Sequence, residues 1–152
     1  MGLSAITTVT GNVIATAELT IDTPGEGFID ITAEIRRFAD EAAAQDGAIS
    51  LFLRHTSASL TIQENADPDV LRDLTSALRH LAPHDFGWIH DAEGPDDMPA
   101  HVRTMLTGVS LQIPIVSGHL ALGPWQGIYL IEHRARPHRR QIILQFAGSQ
   151  RG

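Results

Sequence analysis

A strict alternation of side chains early in the sequence is the feature that most restricts the fold. From residue 13 to residue 21 every second side chain is apolar, beginning at Val13 and ending at Ile21. A period of two over this length predicts a half-buried β-strand. Comparable alternation returns in the second half of the chain, at residues 109–115, 128–133 and 142–146. The chain is therefore expected to be built largely from sheet.

Three segments have helical spacing instead, at residues 32–42, 68–81 and 98–106. Thr32 and Asp67 are expected N-caps, Pro68 fits the first helical position, and Gly47 is expected to end the first helix. The third helix is expected to bury a stripe of Met98, Val102, Met105 and Leu106. About eight strands, including a weak one at residues 6–10, are interspersed with these helices and joined mostly by short turns. This order predicts one compact α+β domain over residues 1–152, a largely antiparallel sheet or sandwich.

Composition excludes several classes of function. The 152 residues are 43% hydrophobic and 19% charged, as in a globular domain. The net charge of −7 argues against a nucleic-acid partner, because binding to phosphate backbones needs clustered Lys and Arg. The absence of cysteine excludes disulfides and thiolate metal sites. Neither a signal peptide nor a membrane span is visible, so a cytoplasmic protein without membrane attachment is expected.

The stretch from His90 to His101 holds two histidines and four carboxylates within twelve residues; the carboxylates are Asp91, Glu93, Asp96 and Asp97. Imidazole and carboxylate groups together bind divalent metals. The two histidines are eleven residues apart in the sequence, whereas a helical metal-binding pair is four residues apart. They can therefore converge only if the loop folds back. The alternative is a solvated acidic loop in which Asp96 and Asp97 cap the following helix.

Two further polar clusters follow predicted strands. His55 and Ser57 come after an apolar strand, where a hydroxyl-rich turn suits an anion, although turn hydrogen bonding explains Ser57 equally well. A role for Ser57 as a catalytic nucleophile is not favoured, because the sequence has no G-x-S-x-G nucleophile-elbow motif. Glu64, Asn65 and Asp67 lie where a strand meets a helix N-terminus, a position that favours anions. For Asp67, a role as the helix cap alone is the alternative.

An aromatic loop and a basic run complete the candidate set. Trp125 offers a flat surface for stacking, with Gln126 beside it, and the guanidinium groups of Arg139 and Arg140 suit phosphate oxygens. In the alternative interpretation Trp125 fills the core and residues 134–140 form a solvated basic hairpin.

In sequence order, these motifs resemble the YjbQ family, whose members are often labelled secondary thiamine-phosphate synthases. The resemblance is carried by His55-Thr-Ser-Ala-Ser-Leu60, Glu64-Asn65-x-Asp67-Pro68, His90-x-x-Glu93-Gly94-x-Asp96-Asp97-Met98-Pro99-Ala100-His101 and Leu120-x-Leu122-Gly123-x-Trp125-Gln126-Gly127-Ile128-Tyr129-Leu130-x-Glu132-His133-Arg134. Pro124 and His119 depart from the family pattern, which usually has Thr and a long basic residue there. The resemblance implies a compact, largely antiparallel α+β fold that assembles as a homotrimer.

The resemblance also implies a function: joining a pyrimidine diphosphate to a thiazole phosphate, a transferase reaction that is either the main or a side activity, at a His and carboxylate site assisted by Zn, Mg or Mn. The expected partner is a small phosphorylated metabolite. The expected catalytic residues are His55, Glu64, Asn65, Asp67 and Glu93. The expected substrate-binding residues are Ser57, Trp125, Gln126, Arg139 and Arg140. The expected metal ligands are His90, His101 and His55. The alternatives are a metal-dependent phosphate-ester hydrolase and a trimeric metal- or metabolite-binding protein without turnover.

Overall fold

Eight strands and three helices make up the computed structural model, which describes all 152 residues. The strands are β1 (Val13–Thr23), β2 (Gly27–Asp30), β3 (Ala44–Leu53), β4 (Ala58–Glu64), β5 (Ser110–Val116), β6 (His119–Leu120), β7 (Gln126–Glu132) and β8 (His138–Gln150). The helices are α1 (Thr32–Glu41), α2 (Pro68–Leu81) and α3 (Asp97–Thr107). None of the three is long and apolar enough to cross a membrane.

The strands form two antiparallel sheets. The larger sheet has the order β1-β8-β3-β5-β6, and the smaller has the order β2-β7-β4. The alternating segment that begins at Val13 forms β1, an edge strand of the larger sheet. It pairs with β8 from Val13↔Gly148 to Thr23↔His138. The predicted α+β domain with a largely antiparallel sheet is confirmed.

A single apolar cluster joins the two sheets and α1. It includes Leu51 and Phe146 from the larger sheet, Leu60 and Leu130 from the smaller sheet, and Ile35 from α1, all almost completely buried. Because strand side chains alternate between faces, the other side of the smaller sheet carries Ser59, Ile131 and His133. These three residues are also buried, beneath the layer that contains α3.

Three local predictions are corrected. Residues 6–10 form no strand: they are exposed, and the pairing of β1 with β8 begins at Val13. The first helix ends at Glu41, and Gly47 lies inside β3 instead of ending the helix. A Cβ at Gly47 would lie 2.1 Å from the Ala147 carbonyl oxygen, so the crossing with β8 needs glycine.

The buried face of α3 is the third correction. Beyond the first turn it includes Ala100, Arg103 and Thr104, whereas Met105 and Leu106 of the predicted stripe are 79% and 55% exposed. Polar contacts fix this rotation: the Thr104 hydroxyl donates to the Ala58 carbonyl oxygen of β4. The α3 surface that faces the sheet is thus partly polar. A pattern of apolar residues in the sequence cannot identify such a surface.

Candidate metal centre

His90, Asp97 and His101 meet at the start of α3. The loop from residue 91 to residue 96 folds back, so that one donor atom from each of the three side chains lies within 4.8 Å of the others. The His90 Nε2 atom is 2.6 Å from Asp97 Oδ2, and the His101 Nε2 atom is 3.2 Å from the same oxygen. Asp97 is buried, while the two imidazoles are partly exposed. The cluster is thus anchored on one side and open on the other.

The backbone fixes the tautomer of His101. Its Nδ1 lies 2.9 Å from the Thr56 carbonyl oxygen, which can only accept a hydrogen bond, so Nδ1 carries a proton. In the neutral imidazole, Nε2 then presents a lone pair toward the Asp97 carboxylate, at 3.2 Å. Two acceptors at this distance repel unless a proton or a cation lies between them. This arrangement, with a backbone carbonyl behind the ring, is typical of metal-binding histidines.

Arg134 fixes the carboxylate from the other side. Its Nη1 donates to Asp97 Oδ1 at 2.7 Å, its Nε donates to Asp96 Oδ2 at 3.0 Å, and its Nη2 donates to the Glu93 carbonyl oxygen at 2.9 Å. Asp97 therefore has one oxygen held by Arg134 and the other directed at the imidazoles. Burial alone would raise the pKa of Asp97, but the hydrogen bond from His90 and the charge of Arg134 lower it below its usual value. The carboxylate is thus ionised and suited to coordinating a metal through one oxygen.

His55 does not join this cluster. Its Nε2 accepts a hydrogen bond of 2.9 Å from the Gln141 backbone N–H, so the ring proton is on Nδ1. Burial lowers the pKa of His55, and the nearby Arg140 charge lowers it further. Its acceptor nitrogen is already occupied, which makes the ring a neutral structural group. Of the expected set of His90, His101 and His55, the structure brings His90 and His101 together with Asp97, and it places His55 outside the cluster.

Arg140 forms a buried ion pair with Glu132 and also contacts Ser57, next to the centre. Arg140 donates through Nε to Glu132 Oε2 at 2.7 Å and through Nη2 to the Ser57 hydroxyl at 3.0 Å. Glu132 is completely buried and also accepts from the Thr23 hydroxyl and the Arg134 backbone N–H. Burial alone would raise the pKa of Glu132, but these hydrogen bonds, chiefly those from Arg140, lower it. Arg140 is 3% exposed and its guanidinium is already paired with Glu132, whereas the expected phosphate contact needs an accessible guanidinium.

The remaining predicted residues lie elsewhere. Glu64 pairs with Gln126 at the far end of β4 and β7, whereas Ala58, next to the metal centre, pairs with Glu132. The length of β4 separates these two ends, about 20 Å within one chain. Glu64, Asn65, Trp125 and Gln126 therefore do not reach the centre in one subunit.

Local contacts explain most of the side chains in this group. The Asp67 side chain accepts from the Asp69 backbone N–H, which makes it the N-cap of α2. The Gln126 side chain accepts from the Gly123 backbone N–H and shapes its own loop. Trp125 is 64% exposed and does not fill the core. Arg139 is exposed and paired with Asp22 at 2.8 Å, and Glu93 contributes its carbonyl oxygen to Arg134.

The sequence interpretation placed Asp97 among several candidates, but not in the final set of ligands. A signal for it exists: Asp97 and His101 are four residues apart in a helix, so they share a face. The position of Arg134 has no comparable signal, because it lies 37 residues from Asp97 along the chain.

The fold and this cluster together define a small two-sheet α+β protein with a His-Asp-His centre. A profile of the YjbQ family, described as UPF0047 protein YjbQ-like, matches residues 17–149, and the chain belongs to this family. A UPF0047 protein of Synechocystis is 48% identical over 131 residues, which are 86% of this chain and 89% of that protein.

Solved structures agree with this assignment. An uncharacterized conserved protein of the same family from Clostridium acetobutylicum has a TM-score of 0.79 and 39% identity, covering 86% of this chain and 98% of its own. A YbjQ-like protein of unknown function from Sulfolobus solfataricus has a TM-score of 0.81 at 19% identity, covering 90% and 100%, and shows the fold alone.

The predicted thiamine-phosphate synthase function is wrong. The relatives carry only the family description or are described as uncharacterized or of unknown function, so membership supplies no such activity. The structure also separates the residues assigned to the two phosphorylated substrates. Trp125 lies at the far end of the strands, Arg139 points to solvent and Arg140 is buried.

Proposed function

We propose that this protein binds a divalent transition-metal ion through His90 Nε2, Asp97 Oδ2 and His101 Nε2. The observation that carries the proposal is the convergence of one donor atom from each of these three side chains within 4.8 Å, with the His101 ring proton on Nδ1 held at Thr56. A bound cation would offset the repulsion between the Asp97 carboxylate and the neutral His101 Nε2, which lie 3.2 Å apart. Two imidazoles favour Zn²⁺ over Mg²⁺, which prefers an all-oxygen environment, and the carboxylate also suits Mn²⁺.

The proposed centre is of the catalytic type. Sites with three protein ligands keep a further position for water or substrate, whereas structural zinc sites are closed by four protein ligands. No fourth His, Asp or Glu donor joins His90, Asp97 and His101, and the imidazoles are 44% and 33% exposed. When bound, the ion would supply Lewis-acid polarisation of an oxygen ligand.

We further propose that the protein is a metal-dependent enzyme with a small anionic substrate. The protein side chains would perform positioning: Arg134 holds Asp97, Thr56 holds His101, and the buried pair of Glu132 and Arg140 supports Ser57 beside them. The predicted phosphorylated metabolite remains a prediction about the identity of that anion.

A homotrimer is proposed as the assembled form. Its support is a set of large apolar side chains that one chain leaves exposed: Leu81, Phe86, Ile89, Met105 and Leu106. Exposed apolar groups of this kind mark interaction surfaces. Light scattering is expected to give three times the chain mass of 16.5 kDa, and a monomer at micromolar concentration would contradict the trimer.

Substitution with Co²⁺ tests the open position directly. The visible spectrum of the Co²⁺ protein is expected to indicate four- or five-fold coordination and to change when azide is added. In the His101→Ala protein neither spectrum should form. A Co²⁺ spectrum that azide leaves unchanged would show a closed site and would refute the catalytic assignment while leaving metal binding intact.

A further inference from the structure

A second polar site lies on the opposite side of α3 from the metal centre. His101 and Arg103 are two residues apart in this helix, so their side chains diverge by roughly 200°. Arg103 points to a groove of about 350 Å³ that is lined by Glu26, Arg79, Pro83, His84 and Arg103. These residues come from the β1–β2 turn, the last turn of α2, the segment after it and α3.

The Arg103 guanidinium is buried but poorly paired. The residue is 1% exposed, and its Nη2 donates to the Ala82 carbonyl oxygen at 2.9 Å. The nearest carboxylate oxygen, on Glu26, is 4.0 Å from Nη1, and the buried Nε has no acceptor. A guanidinium has five N–H donors, and leaving a buried charge unpaired is unfavourable. The Arg103 guanidinium therefore has a buried N–H donor, at Nε, for which this chain provides no acceptor.

The single carboxylate in the groove is already engaged. Glu26 Oε1 accepts from Arg79 Nε at 2.8 Å, so two guanidinium groups share one negative charge. His84 adds a further imidazole donor at the exposed rim. Beneath the groove, a small cavity of about 10 Å³ touches Glu26, Arg103 and His133. It has room for one water and for nothing larger.

We propose that this groove binds an oxyanion, of the phosphate or carboxylate class, between Arg79, His84 and Arg103. A tetrahedral or planar oxyanion accepts paired hydrogen bonds from guanidinium groups, the geometry for which arginine is best suited. The groove has space for such a group and supplies one positive charge beyond Glu26. The site is independent of the metal centre and does not depend on the function proposed for it.

Inorganic phosphate is the probe, titrated into the full-length chain in the presence of a chelator and at constant ionic strength with chloride. Phosphate is expected to raise the thermal midpoint by mass action, with chloride giving no such rise. Arg79→Gln is expected to weaken phosphate binding about tenfold or more, because it removes a charge-assisted hydrogen bond. Arg72→Gln, on the same helix and paired with Asp69 outside the groove, should leave it unchanged.

Glu26→Gln gives the sharpest test, since it removes the competing carboxylate. Phosphate should then bind more tightly than in the natural chain, and any loss of stability from the unpaired Arg103 should be recovered when phosphate is added. A merely structural Glu26 would not produce that increase in affinity. No rise with phosphate, equal affinity in Arg79→Gln, or unchanged or weaker affinity in Glu26→Gln would each overturn the proposal.

Discussion

Replacing Arg134 by lysine is expected to weaken metal binding without unfolding the protein. The guanidinium contacts Asp97, Asp96 and the Glu93 carbonyl oxygen through three separate nitrogens. Lysine keeps the charge, but its single ammonium group cannot reach all three acceptors in this geometry. Asp97 is then no longer held in the orientation that directs its second oxygen toward the imidazoles.

The magnitude follows from the hydrogen bonds that lysine cannot make. A hydrogen bond to a charged group contributes about 1.5–3 kcal/mol, and substituting residues that orient a metal ligand typically lowers affinity by about 10- to 100-fold. The two magnitudes agree, since about 1.4 kcal/mol corresponds to tenfold. We therefore expect the Kd for Zn²⁺ or Mn²⁺ to rise by about one to two orders of magnitude.

Isothermal titration calorimetry measures this change, and circular dichroism checks that the fold is retained. Arg136→Lys is the matched control, because Arg136 is exposed and forms no ion pair. Equal metal affinity in Arg134→Lys and the natural chain would refute the positioning role of Arg134.

Two further predictions concern the buried polar groups beside the centre. Burial, with help from the Arg103 charge, lowers the pKa of His133 from 6.5 to about 4. The unfolded chain therefore binds this proton first as the pH falls, and about 3 kcal/mol of stability should be lost between pH 6.5 and pH 4. Urea unfolding across this range measures the loss; a His133→Gln variant with the same pH slope as the natural chain would contradict its assignment. Glu132→Gln leaves the Arg140 charge buried without its partner and should lower the free energy of unfolding by about 3–5 kcal/mol. Exposed ion pairs contribute up to about 1 kcal/mol to the free energy of unfolding. A loss smaller than this in the same urea assay would contradict the role of Glu132 as the buried partner of Arg140.

The sequence was sufficient for the fold class and for two of the three side chains, His90 and His101, of the proposed metal centre. Period-two alternation identifies β1, β5 and β8 because one face of each strand is more deeply buried than the other. In β7 both faces are buried, so its residues do not alternate between buried and exposed. The composition of the stretch from His90 to His101, two imidazoles among four carboxylates, identifies it as a candidate metal-binding stretch.

The exclusion of His55 from the cluster and the positions of the supporting residues depend on tertiary contacts. His55 has the right chemistry, but the Gln141 backbone N–H occupies its acceptor nitrogen, and only the pairing of distant segments reveals this. Arg140 is suited to phosphate by residue type, yet a buried carboxylate eight residues earlier already pairs with it. The rotation of α3 was mispredicted because its inner face is set by Arg103 and Thr104, which a search for apolar periodicity overlooks.

Metal stoichiometry tests the central claim most directly. The purified chain is freed of metal with a chelator, titrated with Zn²⁺ in a calorimeter, and compared with His101→Ala and with His119→Ala. His119 is an exposed histidine outside the cluster. One ion per chain is expected in the natural and His119→Ala proteins, and none in His101→Ala. Failure of the natural chain to bind Zn²⁺ or Mn²⁺, or full binding by His101→Ala, would contradict a metal centre at His90, Asp97 and His101.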